Sequence, residues 1–597
     1  MNGIALVIIA ALILTLAYRF YGAFMAAKVL ALDPGRATPA VRHNDGRDYV
    51  PTNKWVTFGH HFAAIAGAGP LVGPVLAAQF GYLPGTLWLL IGAVVAGAVH
   101  DMVILFASIR HDGLSVAEIA KKEISKASGL ATSIAVLFIL IITMAGLGIA
   151  VVNALYDSSW GTFTVAATIP IAIFVGLYLR YIRPGHIGEG PLIGVTLVLI
   201  AVFVGPWVQQ SALASYFTFS RGQLSVMMAV YGFVAAALPV WLLLAPRDYL
   251  STYMKIGTIL ALAVGIIIVR PEIHMPALTP FINGGGPIIP GPVWPFMFIT
   301  IACGAISGFH SLISTGTTPK MLANEAEIRA VGFGGMLVES FVALMALIAA
   351  TSLYPADYFA INTAPAVFAK LGMQVNELPM LSELVGENVA GRPGGAVSLA
   401  VGMAHIFAQI PGMNSLLSFW YHFAIMFEAL FILTTIDAGT RVGRYLIQEL
   451  GGMVYKPLKN VNWVPGIIFS SAAISFAWGY LLYGGSISTI WPLFGVANQL
   501  LATMSLAIGT TVLFRMGKGR YAWTTIIPMS FLGATTVAAG YLNITTNYLP
   551  KNNYLLAGAS AVMIILVIFV IGDAVRTWLR IAAGERAAVS ATESVGK

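Results

Sequence analysis

Phe58-Gly-His-His-Phe-Ala-Ala-Ile-Ala-Gly-Ala-Gly-Pro-Leu-Val-Gly-Pro74 decides the fold. The stretch is apolar enough for a membrane, yet Gly67, Gly69, Pro70, Gly73 and Pro74 fall near its middle. Pro70 and Pro74 lack an N–H, which leaves carbonyls four residues earlier unpaired. Hydrocarbon tolerates such groups only where the chain is buried in protein or lines a cavity. The segment therefore reads as a discontinuous membrane helix. Its freed carbonyls can hold a cation, and the N-terminus of its second half can face an anion. The competing reading is a proline kink whose small residues serve close packing. The spacing Gly67-x-Gly69-x-x-x-Gly73 is no dinucleotide fingerprint, because no strand or βαβ context precedes it.

Composition agrees with a membrane setting. Of 597 residues, 58% are hydrophobic and 9% charged, against about a quarter charged in soluble proteins. That excludes a soluble multidomain assembly, and a single cysteine, Cys303, excludes a disulfide scaffold. Continuous apolar runs without period-two alternation exclude a transmembrane β-barrel. The fold class is all-α and polytopic. Candidate spans run 3–27, 57–79, 84–109, 130–155, 162–180, 190–208, 226–245, 252–270, 294–316, 329–351, one or more in 394–437, 463–483, 488–514, 522–543 and 552–575. That predicts about 15–17 crossings. The run Gly3 to Ala27 is too long for a signal-peptide core and lacks a basic flank, so it reads as a helix that stays. No loop is long enough to bury a core of its own, so 1–597 reads as one transmembrane domain. The loop 271–293, rich in proline and glycine, reads as a lid or ordered coil on the outer face.

The net charge of +8 is spread over segment ends, which argues against a nucleic-acid partner. With loop 28–56 in the cytoplasm and strict alternation, 26 of the 32 Lys and Arg fall at cytoplasmic ends and 5 outside, with Arg19 inside the first helix. The same bias requires an odd number of crossings in 394–437. One of the stretches 395–411 and 414–437 is then re-entrant, broken at Pro411-Gly412, or a short segment near 362–372 also enters the membrane.

A second span, 294–319, is unusually polar. On a continuous helix Cys303, Ser307, His310, Ser314 and Thr317 form one stripe, with Gly304, Ser311, Thr315 and Thr318 beside it. Such a stripe, which also carries Gly308, should face a cavity, water or another helix rather than lipid. The alternative is interhelical glue. Ile65-Ala-Gly-Ala-Gly-Pro-Leu-Val-Gly73 and Ile301-Ala-Cys-Gly-Ala-Ile-Ser-Gly308 look faintly alike, and paired broken helices point to a secondary-transporter site.

Intramembrane carboxylates are few: Asp101, Glu339 and Glu428. Glu339 shares its face with Gly332, Gly335, Ala343 and Ala346, so it meets a closely packed neighbour. Desolvation disfavours a carboxylate's charged form, which suits a proton carrier; a structural hydrogen bond is the plain alternative for each. His310 can change charge near neutrality and joins the candidates for the proton path. His60 and His61 open the first broken helix. They form no metal site, because neighbours on a helix point about 100° apart and no further ligand follows at the right spacing. Asn498 and Gln499, in Trp491-Pro-Leu-Phe-Gly-Val-Ala-Asn-Gln499, either contact substrate or cap a neighbouring helix. No cofactor is expected.

Ala40-Val-Arg-His-Asn-Asp-Gly46, Tyr49-Val-Pro-Thr52, the stretch Phe58–Pro74, Thr300-Ile-Ala-Cys-Gly-Ala-Ile-Ser-Gly-Phe-His-Ser-Leu-Ile-Ser314 and the stretch Trp491–Gln499 resemble the carbon starvation protein A family. The resemblance covers about 18–380 as a family core and 381–520 as its C-terminal region, leaving 521–597 as two peripheral helices and a cytoplasmic tail. It implies the inverted-repeat fold of the amino acid–polyamine–organocation superfamily. It also implies a bacterial inner-membrane transporter, induced in carbon starvation, that imports peptides or pyruvate with protons. The partners are then a small-molecule substrate, protons and the lipid bilayer. An amino-acid or other organic-acid transporter, an uncoupled channel and a nutrient sensor are the alternatives. A membrane enzyme would need a nucleophile–base or metal constellation, of which only His60-His61 gives a hint, and no nucleotide-binding Gly-x4-Gly-Lys-Ser/Thr motif occurs. Substrate contacts are expected from His60, His61, Gly67, Gly69, Pro70, Gly73, Ser307, Gly308, His310, Ser311, Asn498 and Gln499. Proton coupling is expected from Glu339, Glu428, Asp101 and His310.

Cysteine labelling of whole cells checks the orientation: Gly285→Cys should react with an impermeant reagent and Gly46→Cys should not. The reverse pattern, or reaction at both, overturns it.

Overall fold

Long apolar runs leave the backbone one way to satisfy its hydrogen bonds, which is helix. The computed structural model is all-α and describes residues 2–46, 49–67, 69–183, 189–238, 244–460 and 462–595. Among these, 12 helices are long and apolar enough to cross a membrane, and a bent pair, Lys54–Ile65 and Gly69–Phe80, adds one more. The other expected crossings are shorter or interrupted. Arg221–Ala237 has 17 residues, and positions 239–243 of the expected span 226–245 lie outside the described residues. The polar span 294–319 is a string of three short helices, Val293–Thr300, Ala302–Ala305 and Phe309–Gly316.

The ambiguous stretch 394–437 resolves into two unequal helices. Ala396–Ala408 has 13 residues, about 20 Å at ~1.5 Å per residue, which is short of the ~30 Å hydrocarbon core. Pro411 and Gly412 lie in the turn that follows, where Gly412 takes φ +84°. Leu417–Gly451 then runs on as one helix of 35 residues, well beyond the expected end at 437.

Burial sorts the spans. Ile487–Arg515 is buried along its whole apolar window and Glu325–Thr351 along 89% of it, against 28% for Gly3–Val29 and 33% for Tyr554–Gly584. The first two are central. The last two present Leu12, Phe20, Ile565 and Leu579 outward, as lipid-facing helices do.

The loop 271–293 is an ordered coil pinned to the first broken helix. Gln79 is fully buried; its Nε2 donates to the Ile289 carbonyl at 2.8 Å, and its Oε1 accepts from Ile288 N at 2.8 Å and Ile289 N at 3.0 Å. The Thr279 hydroxyl donates to the Gln79 carbonyl at 2.5 Å. One side chain thus ties the loop to the outer half of the bent pair.

At the opposite, basic face, Arg110 holds the buried Glu325 through two hydrogen bonds, Nε to Oε2 at 2.9 Å and Nη2 to Oε1 at 2.7 Å. This bidentate geometry makes a strong, directional contact and fixes the end of Tyr82–Arg110 against the start of Glu325–Thr351. Arg247 and Lys255, which charge counting places at a cytoplasmic helix end, are instead buried at 0% and 3% exposure. They belong to the protein interior and carry no topological information.

Just past Arg110, His111 Nε2 meets Glu123 Oε1 at 2.7 Å, and Arg515 Nε meets Glu123 Oε2 at 2.7 Å. The contact latches the amphipathic helix Val116–Glu123 to the end of Ile487–Arg515. The hydrogen bond with Glu123 raises the His111 pKa above its ordinary value. A raised folded pKa gives stability that is full below the unfolded value, about 6.5, and is lost as pH rises through the folded one. Hydrogen exchange in 111–123, corrected for intrinsic rates, should therefore be slower at pH 6 than at pH 9. Glu123→Gln should flatten that difference.

Candidate functional site

The first broken helix ends its first half at Ile65, and the second half, Gly69–Ala77, leaves at 47°. The Gly67 N–H turns back to the Ile65 carbonyl at 2.7 Å. The Ala63 carbonyl accepts from Lys255 Nζ at 3.0 Å, and the same ammonium sits 4.3 Å from the Phe431 ring centroid. A cation at the break was expected; here the chain supplies one itself.

The second broken helix crosses the first at contact distance. A Cβ on Gly69 would lie 2.3 Å from Cys303 Sγ, and one on Gly73 would lie 2.5 Å from the Thr300 carbonyl oxygen. Pro70 packs in the same crossing, its Cα 3.8 Å from where Gly304 would carry a Cβ. Gly73 is thus where the two backbones meet, and Gly69 is where the Cys303 side chain is seated. The polar stripe is not continuous, because helix stops at Ala305 and resumes at Phe309. Asn498 fills that gap. Its Oδ1 accepts from Phe309 N at 3.0 Å and from the Ser307 hydroxyl at 3.2 Å, and its Nδ2 approaches Cys303 Sγ at 3.3 Å. Gln499 Nε2 donates to the Phe298 carbonyl at 2.7 Å, and the Ser311 hydroxyl donates to the Gly308 carbonyl at 2.6 Å. A Cβ on Gly308 would lie 2.2 Å from the Asn498 carbonyl oxygen. Asn498 therefore caps the break, and Gln499 caps the end of the preceding short helix at Phe298. The donor hydrogens of Ser307 and Ser311 are committed to the break as well, rather than offered to a ligand.

Three of the expected titratable groups come together below this crossing. His310 Nδ1 lies 2.8 Å from Asp101 Oδ2, and its Nε2 lies 3.0 Å from Glu339 Oε2. The second contact is at ion-pair distance but out of line for a hydrogen bond. Asp101 Oδ1 meets His100 Nδ1 at 2.7 Å. Asp101, His310 and Glu339 are all at 0% exposure. An imidazole can donate from both nitrogens only when it is protonated. The His310 and Glu339 side chains must first realign before Nε2 and Oε2 can share a proton. His61 flanks the group, with Nδ1 2.8 Å from Thr318 Oγ1. Glu428 is equally buried but takes no part: neither of its oxygens has a hydrogen-bond partner among the described residues.

A cavity of about 70 Å³ lies beside this group, between the two broken helices and Leu244–Val269 and Leu417–Gly451. His60, Phe309, Ser251, Lys255, Thr434 and Thr435 are among its walls. Thr435 Oγ1 lies 3.0 Å from where Gly67 would carry a Cβ. Of the expected substrate residues, His60 lines the cavity and Gly67 abuts it, whereas His61 turns away. Lys255 escaped sequence reasoning because it looked like a helix-end charge. Asp437, paired with Arg247 at 3.5 Å and accepting from the Tyr231 hydroxyl at 2.7 Å, escaped because the helix was expected to end there. The spacing Asp437, Arg441, Arg444, Gln448 was the signal that the helix continued.

Residues 2–539 match the family described as carbon starvation protein CstA. The chain belongs to that family. It is 54% identical over 97% of both chains to the peptide transporter CstA of Bacillus subtilis. To the peptide transporter CstA of Escherichia coli it is 53% identical, over 90% of this chain and 81% of that one. To the pyruvate/proton symporter BtsT of Escherichia coli it is 44% identical, over 95% and 89%. A solved manganese transporter of Eremococcus coleocola aligns with TM-score 0.41 and 13% identity over 90% of this chain and 98% of that one, too distant to carry an argument. This family member is a multi-pass transporter of the bacterial inner membrane.

The crossing is directly testable. Gly69→Ala should lower thermal stability and uptake, because its methyl group meets Cys303. Cys303→Gly in the same chain should recover much of the loss, with a coupling of about 1–3 kcal/mol. Additive effects would place the strain elsewhere.

Proposed function

We propose that the chain is a proton-coupled importer of small carboxylates, and not an enzyme, with the cavity at Lys255 as its substrate site and Asp101–His310–Glu339 as its proton carrier. One observation carries this reading: a histidine held between two fully buried carboxylates, one residue away from a cavity wall that holds a lysine. With His310 and Lys255 charged, the cluster of Lys255, His310, Asp101 and Glu339 sums to zero. A substrate carboxylate entering beside Lys255 brings the sum to −1, which is costly in a water-poor interior. A proton entering with it, on Glu339, restores neutrality. Substrate anion and proton then stabilise one another, which is the physical content of symport. The Lys255 ammonium on the Ala63 carbonyl supports the proton over a metal cation, because a fixed positive charge already occupies the break.

Cavity size favours a small keto acid such as pyruvate, the substrate in the name of one relative. About 70 Å³ is room for roughly five waters at ~10–15 Å³ each, less than a dipeptide fills. A peptide, the substrate in the other relatives' names, requires the cavity to widen as the crossing opens.

Uptake by proteoliposomes, comparing pyruvate with dipeptides under an imposed pH gradient, tests the reading. Lys255→Ala should weaken substrate affinity by at least about tenfold, the scale of one charge-assisted contact. Glu339→Gln keeps shape and mimics the protonated acid, so it should retain substrate exchange and lose acid-driven accumulation. Accumulation by Glu339→Gln at wild-type level would move the carrier to Glu428 or to His310 alone.

A further inference from the structure

A second and larger cavity, about 290 Å³, opens on the face opposite the basic one. It lies where Lys126–Leu155 and Val464–Gly484 end and Arg221–Ala237 and Ile487–Arg515 begin. Ile149, Asn153, Ile288, Asn362 and Pro393 contribute to its walls, and Arg221 is the one charged lining residue among the described residues. Arg221 is exposed, stacks 4.8 Å from the Tyr156 ring centroid, and reaches the Gly391 carbonyl at 3.4 Å. Its neighbour at that rim, Arg392, is matched by Glu387 at 3.4 Å, so the acid there is already paired with other groups. Among the described residues, no acidic side chain lines the cavity. A guanidinium at the mouth of an acid-free cavity selects anions, and a carboxylate fits its planar fork.

The walls are also mechanically connected to the first broken helix. Ile288 and its neighbour are held by Gln79. Asn362 Oδ1 accepts from Gly395 N at 3.1 Å, and Gly395 would place a Cβ 3.3 Å from the Val72 carbonyl oxygen. The Tyr358 hydroxyl, one turn before Asn362, donates to the Val75 carbonyl at 2.6 Å. Two wall segments of this cavity thus hang on the second half of the bent pair, Gly69–Phe80, whose other end borders the break.

We infer that this cavity is a vestibular binding site for the carboxylate of an incoming substrate, with Arg221 as the recognising group, distinct from the cavity at Lys255. It rests on the carboxylate reading above. It has the room that the inner cavity lacks, so it accepts a dipeptide as well as a keto acid. Because its walls are tied to Gly69–Phe80, occupancy acts on the half-helix that the inner site also touches.

Equilibrium binding of labelled pyruvate and of labelled alanyl-alanine to the purified full-length protein tests this. Lys255→Ala should leave one weak saturable site per chain. Adding Arg221→Gln should weaken that remaining site at least about tenfold, and Arg221→Lys should weaken it less, because the charge stays. Exposed Arg221 leaves folding intact, which an unchanged melting temperature verifies. Complete loss of binding in Lys255→Ala while the wild type binds overturns the vestibular site and leaves the inner one standing. Residual binding indifferent to Arg221→Gln overturns Arg221 as the recognising group. Failure of the wild type to bind either probe overturns both sites together.

Discussion

Everything in the centre of this protein depends on two interrupted helices crossing at contact distance. Gly69 against the Cys303 side chain, and Gly73 against the Thr300 carbonyl, approach too closely for a single extra carbon. Small residues make such close contact possible, and here they sit beside the interruptions of both helices. Pro70, in the first turn of the second half, adjoins the break on one side, while Pro74 lies inside the helix that follows; on the other side Asn498 compensates by bonding Phe309 N and the Ser307 hydroxyl and approaching Cys303 Sγ. In hydrocarbon the missing backbone partners must come from the protein, which is why a fully buried helix, Ile487–Arg515, presents Asn498 to the gap and Gln499 to the Phe298 carbonyl.

The crossing also organises the charges. It brings His310 on one segment beneath Glu339 and Asp101 on two further helices, and it leaves Lys255 to cover a carbonyl that the first break has freed. Each of these groups alone would be costly to bury; together they balance. An arrangement that is neutral at rest responds strongly to the arrival of one more charge, and substrate and proton are each such an arrival. Farther out, Gln79 and Gly395 tie the outer loops to the same half-helix, so that movement at the break is transmitted to the surface.

Much of this was legible in the sequence, for physical reasons that can be named. Prolines and glycines in mid-span announce a break, because nothing else in a membrane helix calls for them. Isolated carboxylates at Asp101 and Glu339 and the histidine at 310 announce themselves by cost. What was hidden is what depends on partners far along the chain. The hydroxyls at Ser307 and Ser311 look equally suited to a ligand or to a helix end, and only the position of Asn498 decides. Lys255 and Arg247 look like ordinary helix-end charges until their own side chains are seen to be buried, although the same helix turns Leu260 and Val264 outward. The helical string 293–316 looked continuous because residues 303–317 keep helical spacing; its interruption at Ile306–Gly308 comes from the neighbour that replaces the backbone bonds.

The single thiol of the chain sits at the crossing itself. Cys303 is buried, and its sulfur fills the space that Gly69 leaves empty. While the two segments touch, no reagent has an approach to it; once they part, it is uncovered. The wild-type protein therefore carries its own gauge of the distance between its two halves, and the rate of its alkylation reads how often the transporter opens, with no engineered label and no change to the packing being measured.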